Sequence, residues 1–275
     1  MAPILSENDS GLALITLNDS AHGNTLTSLR LATLAKALTN AVEDNSVRVI
    51  LLRSDGPAFC TGMSLLDVPS GQATQRDPRE IETNISSYCD CLLKIYAAPK
   101  PVVCCVTGDA KAGGVGLAGA CDVVIASPGA TFQLSEIFLG LIPANVMPFI
   151  FSLRLTPQTV RYLVLTGKKL SAQDAFRIQL VNEVFPAETL ERDLRAIMQG
   201  LFRASPRAIA RAKQFTGMLV GEKMAPSIEL AKKSFLEMMR DPEITGAIGD
   251  FNNGLTPPWF SRFSPKTSLL CKGAV

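Results

Sequence analysis

Three short segments carry the residue types and spacings that could do chemistry. Residues 58–63, AFCTGM, run from an apolar strand pattern through a glycine toward a helix start. Amide N–H groups at such a start lack an intrahelical partner and point outward, which suits a developing oxyanion. The same pattern also fits an ordinary strand-to-helix turn. Residues 106–122, VTGDAKAGGVGLAGACD, place the pair Gly113-Gly114 between a buried strand and a helix. Without side chains there, a substrate carbonyl reaches the backbone amides; close packing of helix on sheet explains the pair equally well. No Gly-Lys-Ser/Thr end follows, and the spacing is not that of a dinucleotide loop. The third segment is FQLSEIFLGLIP, 132–143, whose Glu136 is the only charged residue between Asp122 and Arg154. Burial of a carboxylate without a partner is costly and raises its pKa, which makes a general base near neutral pH. A solvated turn residue or a structural ion pair is the other reading. Ser64, Ser135 and Asn145 are candidates for a ligand or for helix caps. Lys111 reads as a surface lysine.

The rest of the composition narrows the chemistry. The chain has a single histidine, His22, in a polar turn, so a zinc site and histidine-based triads have little to build on. Its seven cysteines include no CxxC pair, and Cys104, Cys105 and Cys121 sit in apolar runs. Free buried thiols in a reducing compartment account for them. Catalysis, if present, falls to a carboxylate, backbone amides or an unusual lysine. Lys plus Arg is 27 against 25 for Asp plus Glu, a net charge of +2 with no basic block, so no nucleic-acid partner is expected. Apolar runs fall short of the roughly 18 residues of a membrane span. The start, MAPILSENDSG, lacks a basic and long apolar leader, so a cytoplasmic protein is expected.

These segments need a scaffold, and 275 residues that are 47% hydrophobic and 19% charged can build a deep core. Residues 11–18 alternate as a strand. Leu31, Leu34, Ala35, Leu38 and Val42 then describe an amphipathic helix, ended by 44–46. A buried strand is expected over 47–52, a strand running into a short helix over 58–68, and a surface loop over 69–78. Ile81, Ile85, Tyr88, Leu92 and Tyr96 mark a second helix, stopped by Pro99 and Pro101. Apolar strands follow at 102–106 and 121–126. Alternating strands and helices predict an α/β architecture. Ser171 to Asp174 resembles a capping box and Ser205-Pro206 a helix start. Ile228, Ala231, Phe235 and Met238 form a helical stripe. No good strand appears beyond about 188. Phe and Met residues near the C-terminus read as core or subunit contacts.

In this order, the three segments resemble the crotonase family of enoyl-CoA hydratases and isomerases. AFCTGM is similar to that family's first oxyanion signature, and VTGDAKAGGVGLAGACD to its glycine-rich second. FQLSEIFLGLIP is similar to the segment carrying one of its two active-site glutamates. LTGKKLSAQDAFRIQLVNEVFP, 165–186, resembles a further family stretch. The resemblance covers about residues 10–220. It implies a ββα spiral with two near-perpendicular sheets over 1–200, and a helical region over 201–275 that joins subunits into trimers or hexamers. It places the oxyanion amides on Met63 and Gly113, and the usual glutamate pair on Gly116 and Glu136. One carboxylate is therefore kept and the other lost, which argues against ordinary hydration. Gly62, Ser64, Gly114 and Asn145 stand as substrate-binding candidates. AGGVGL, SEIFLGLIPANVMPF and DPEITGAIGDFNNGLTPPWF look like the polyketide β-branching subgroup. That subgroup dehydrates 3-hydroxy-3-methylglutaryl groups on an acyl carrier protein to 3-methylglutaconyl groups. The resemblance implies an acyl thioester substrate, coenzyme A or phosphopantetheine as its carrier, and no metal or further cofactor. Ser64, Asn145 or Arg76 would meet the distal carboxylate. A Δ3,Δ2-enoyl-CoA isomerase, a methylglutaconyl-CoA hydratase and a non-catalytic binding protein of the same fold are the alternatives.

Overall fold

Two sheets are built by one repeated unit. In the computed structural model, which describes residues 2–63, 78–221 and 224–260, a hairpin of β1 (Ile4–Asp9) and β2 (Leu12–Leu17) opens the chain. Helix α1 (Ser28–Glu43) follows, its Thr27 side chain accepting from the Arg30 amide. Its buried face is Leu31, Leu34, Ala37, Leu38 and Ala41, so the stripe runs through Ala37 and Ala41 rather than Ala35. Then β3 (Val49–Ser54), β4 (Ala58–Cys60) and α2 (Pro78–Ala97) form the first strand-strand-helix unit. The second is β5 (Val102–Val106), β6 (Asp109–Lys111) and α3 (Gly113–Ala120). The third begins with β7 (Val123–Ala126) and β8 (Thr131–Gln133). It continues through a 3-10 turn at Glu136–Leu139 into α4 (Met147–Leu153) and α5 (Pro157–Thr166). Each unit gives its first strand to a large sheet and its second to a small one. β3, β5 and β7 are parallel neighbours in the first, and β4, β6 and β8 in the second.

Strand β9 (Leu170–Ser171) closes the small sheet and β10 (Glu183–Val184) the large one, on either side of α6 (Ala172–Arg177). The capping box at Ser171 is present, its hydroxyl accepting from the Asp174 amide. Alternation along the large sheet divides its side chains between two layers. Ile50, Leu52, Val102, Cys104 and Val106 face the main core. Val49, Leu51, Val103 and Cys105 face Leu194 and Met198 of α7 (Leu190–Arg203). The helical C-terminal part therefore starts at Leu190, because α7 is the cover of the sheet's outer face. After it come α8 (Pro206–Gly221), α9 (Met224–Met238), which packs on α2 and α4, and α10 (Pro242–Asn252), which packs on the 3-10 turn. The described cysteines are free and buried. No described helix is long and apolar enough to cross a membrane. The expected helix over 64–68 and all but the last residue of the loop expected over 69–78 lie outside the described residues, Ser64 and Arg76 with them.

Candidate active site

The three candidate segments follow the C-terminal ends of β4, β6 and β8, which are neighbours in that order. Three turns remote from one another along the chain thus emerge side by side, since adjacent strands stand about 5 Å apart. The carboxyl end of a parallel sheet is where open α/β folds bind ligands. Here it carries a cavity of about 480 Å³ lined by Met63, Gly113, Ser135, Glu136 and Asn145, among others.

The first two turns touch. Gly62, at φ +91, sits where an added Cβ would lie 2.9 Å from the Ala112 Cβ and 3.1 Å from the Gly113 nitrogen. Only glycine allows both the backbone angle and the approach. Gly114 is pressed against the end of β4: a Cβ there would lie 2.2 Å from the Cys60 carbonyl oxygen. Gly62 and Gly114, expected among the substrate-binding residues, are not among the residues that line the cavity. They seat the turns that bring Met63 and Gly113 together. Among the described residues, neither the Met63 nor the Gly113 amide has a hydrogen-bond acceptor. The α3 start has no side-chain cap either. The turn is strained at Ala112, a non-glycine residue at φ 48 and ψ −120.

Glu136 opens the 3-10 turn after β8. Its Oε2 is buried without a hydrogen-bond partner. Burial pushes the carboxyl up to about 7, a rise its own backbone amide only partly offsets. Asn145 is buried as well, and its Oδ1 also has no partner. Two unmatched acceptors on residues that line one cavity leave hydrogen-bonding capacity for a ligand that donates. Burial pushes the Cys60 thiol up to about 12, which keeps it protonated and a poor nucleophile.

This environment has a measurable cost. Folding favours the protonated Glu136, because its folded pKa of about 7 exceeds the ordinary 4.5. The carboxyl therefore imposes no penalty below pH 4.5, one that grows between pH 4.5 and about 7, and a constant one above that. We expect Glu136→Gln to match the wild type in stability at pH 4 and to exceed it by about 3 kcal/mol at pH 9. Denaturant titrations at both pH values check this; equal stabilities at pH 9 would show a solvated carboxylate.

Sequence reasoning missed several residues here. Tyr88, placed by its spacing in the core stripe of α2, lines the cavity, and its hydroxyl donates to the Gly113 carbonyl at 2.7 Å. That hydroxyl also occupies the place of a side chain at 116: a Cβ on Gly116 would lie 2.1 Å from it. Lys111, read as a surface lysine, lines the cavity beside its partner Asp109, 3.3 Å away. Phe235, Phe251 and Phe260 line it too, so these C-terminal aromatics are not only core or subunit contacts. Trp259 closes the same side, its indole donating to the Phe138 carbonyl at 3.1 Å. A phenol at a fully buried helical position was the one available signal, because such a hydroxyl needs a partner. His22 is exposed in its turn, bonded to Asp19, as expected.

Comparison with known proteins agrees with this fold. A family model described as enoyl-CoA hydratase/isomerase matches residues 7–262. The chain is 27% identical over 256 residues to the mitochondrial enoyl-CoA hydratase domain-containing protein 3 of Danio rerio, covering 93% of this chain and 86% of that one. It is 30% identical over 204 residues to the bacillaene synthase dehydratase PksH of Bacillus subtilis, covering 74% and 76%. A crystal structure of a putative polyketide biosynthesis enoyl-CoA hydratase from Bacillus subtilis superposes with a TM-score of 0.84 at 26% identity, covering 93% of this chain and 98% of that one.

Proposed function

Because the chain belongs to the enoyl-CoA hydratase/isomerase family, we propose that it removes water from a 3-hydroxyacyl thioester. In this reading the substrate is 3-hydroxy-3-methylglutaryl on an acyl carrier protein, and the product 3-methylglutaconyl, in polyketide biosynthesis. The observation that carries it is one buried carboxyl, Glu136, beside two turns whose amides lack acceptors. The thioester oxygen sits between the Met63 and Gly113 N–H groups. Glu136 as carboxylate takes a proton from the carbon next to the thioester, and the electron pair moves onto that oxygen. The enolate returns the pair to form the carbon–carbon double bond and expels the 3-hydroxyl. Glu136 gives its proton to the departing oxygen, so water leaves and the carboxylate is restored. One acid–base group serves both steps, which fits a site with no carboxylate at 116. The two amides favour the enolate over the ground-state carbonyl, and each is worth about 3 kcal/mol in comparable sites.

Three observations support the finer reading. The unmatched Oδ1 of Asn145 suits a hydroxyl donor on the substrate. Lys111 is a cation on the cavity wall for a distal carboxylate. The PksH relative is named a dehydratase. No cofactor is needed beyond the coenzyme A or phosphopantetheine that carries the acyl group. Exposed Phe215, Met218 and Leu219 on α8 and Leu230 on α9 offer the apolar surface a trimer or hexamer would bury. A second reading has its own support. Phe138, Leu141, Ile142, Phe235 and Phe251 make much of the cavity wall apolar, which suits a 3-enoyl thioester whose C2 proton Glu136 moves to C4. Mass spectrometry of the loaded carrier protein separates the two. Loss of one water from the 3-hydroxy-3-methylglutaryl carrier is the expected result. An unchanged carrier, with turnover of 3-enoyl-CoA, would establish the isomerase instead.

A further inference from the structure

The step sequence above makes no use of Tyr88. Its ring lies under the first turn of α3, with 1% of its surface exposed. Glycines at 113 and 116, three apart on one helix face, make room for it. A Cβ on Gly113 would lie 3.3 Å from both Cζ and the hydroxyl, and one on Gly116 would lie 2.1 Å from the hydroxyl. Burial holds this phenol well above its ordinary range, so it remains a donor throughout the working pH. The turn it pins is the strained one. The direction of the Gly113 N–H is set by the plane of the peptide between Ala112 and Gly113, which follows the ψ of −120 at Ala112, a residue held at φ 48. Strain of this kind persists only where the surroundings over-determine it. The ties to this turn are the Ala112 amide on the Gln133 carbonyl at 2.8 Å, the Val115 amide on the Ala112 carbonyl at 2.9 Å, and the Tyr88 hydroxyl on Gly113. The last is the side-chain tie.

We propose that Tyr88 is a positioning residue: its hydroxyl, seated in the space left by Gly113 and Gly116, holds the strained turn and so aims the Gly113 amide at the thioester oxygen. This rests on the reading of Gly113 as an oxyanion donor. The corollary is that Gly116 is required by the phenol, and that the two positions are energetically coupled.

The probe is hexa-2,4-dienoyl-CoA, whose conjugated carbonyl absorbs further to the red when amides polarise it. On the wild type a red shift is expected; its absence would overturn the oxyanion reading and this proposal with it. Tyr88→Phe keeps the ring. It is expected to bind the probe with affinity close to wild type, to show a smaller red shift, and to lower kcat by roughly tenfold with little change in KM. A wild-type red shift with unchanged kcat in this variant would overturn the proposal alone. So would a loss of thermal stability and affinity with the red shift intact, which marks a purely structural role. Gly116→Ala is expected to displace the hydroxyl and reproduce the smaller red shift. In Tyr88→Phe/Gly116→Ala the added Cβ lies 3.1 Å from Val146 Cγ2 and 3.3 Å from Cζ, a tight fit that small side-chain movements absorb. The double variant is expected to be no worse than either single one, and additive losses would contradict the coupling.

Discussion

Glu136→Gln lowers kcat by roughly a hundredfold or more while fold and thioester affinity stay as they are. Glutamine has the same shape and keeps the wall of the cavity, but it neither takes nor returns a proton. The loss falls on kcat because the group acts on the reacting carbon rather than on the carrier. The wild-type rate should also carry the titration of this residue. Burial sets the carboxyl at about 7, and the base must be ionised to act. Below that pH, kcat/KM of the wild type should fall about tenfold per pH unit, and above it the profile should level. Steady-state rates from pH 5 to 9, with circular dichroism on the variant, check both parts. Near-normal turnover in Glu136→Gln, or a flat wild-type profile through pH 6, would remove this side chain from the chemistry.

Gly113→Pro abolishes turnover, because it deletes the amide on which the enolate oxygen depends. Loss of a single oxyanion donor costs about 10²- to 10³-fold, and the ring carbon of proline would also project where the N–H had been. Proline at the first position of a helix is otherwise well tolerated, since that N–H has no helical partner. The difficulty lies one residue earlier. A residue before proline prefers extended backbone, and Ala112 is at φ 48. The variant therefore needs near-ultraviolet circular dichroism and a melting curve beside the assay. A folded Gly113→Pro with retained activity would contradict the role given to this amide. Gly113→Ala keeps the N–H and is the control for a variant that fails to fold. Its added Cβ meets the Tyr88 ring at 3.3 Å, so a smaller loss is expected.

What could be read from the residues was local. The segments at 58–63, 106–122 and 132–143 announce themselves because glycines and a lone acid stand out within a few residues. The apolar strands at 49–54 and 102–106 are long enough for their burial to show as composition. Strand β1 did not, because it is an edge strand buried at Ile4 alone, with no alternation to detect. β6 and β8 are three residues each, too short for any period. Yet those strands decide that the three segments meet. The roles of Gly62 and Gly114 were legible as glycines but not as seats, since each answers to an atom distant in sequence: Ala112 for one, Cys60 for the other. Tyr88 shows the same limit. Its spacing marks it as a core residue, and only the packing of α2 under α3 turns its hydroxyl toward Gly113. Phe235 and Phe251 lie on α9 and α10 and Phe260 beyond the last helix, and no local pattern encodes that these segments meet at one cavity.

The account depends on where a thioester carbonyl binds. A crystal structure of the protein with a non-reacting acyl thioester tests that directly. The carbonyl oxygen should lie within hydrogen-bond reach of the Met63 and Gly113 nitrogens, with the adjacent carbon facing the Glu136 carboxyl. A carbonyl bound elsewhere, or held by one amide with Glu136 turned to bulk water, would contradict it.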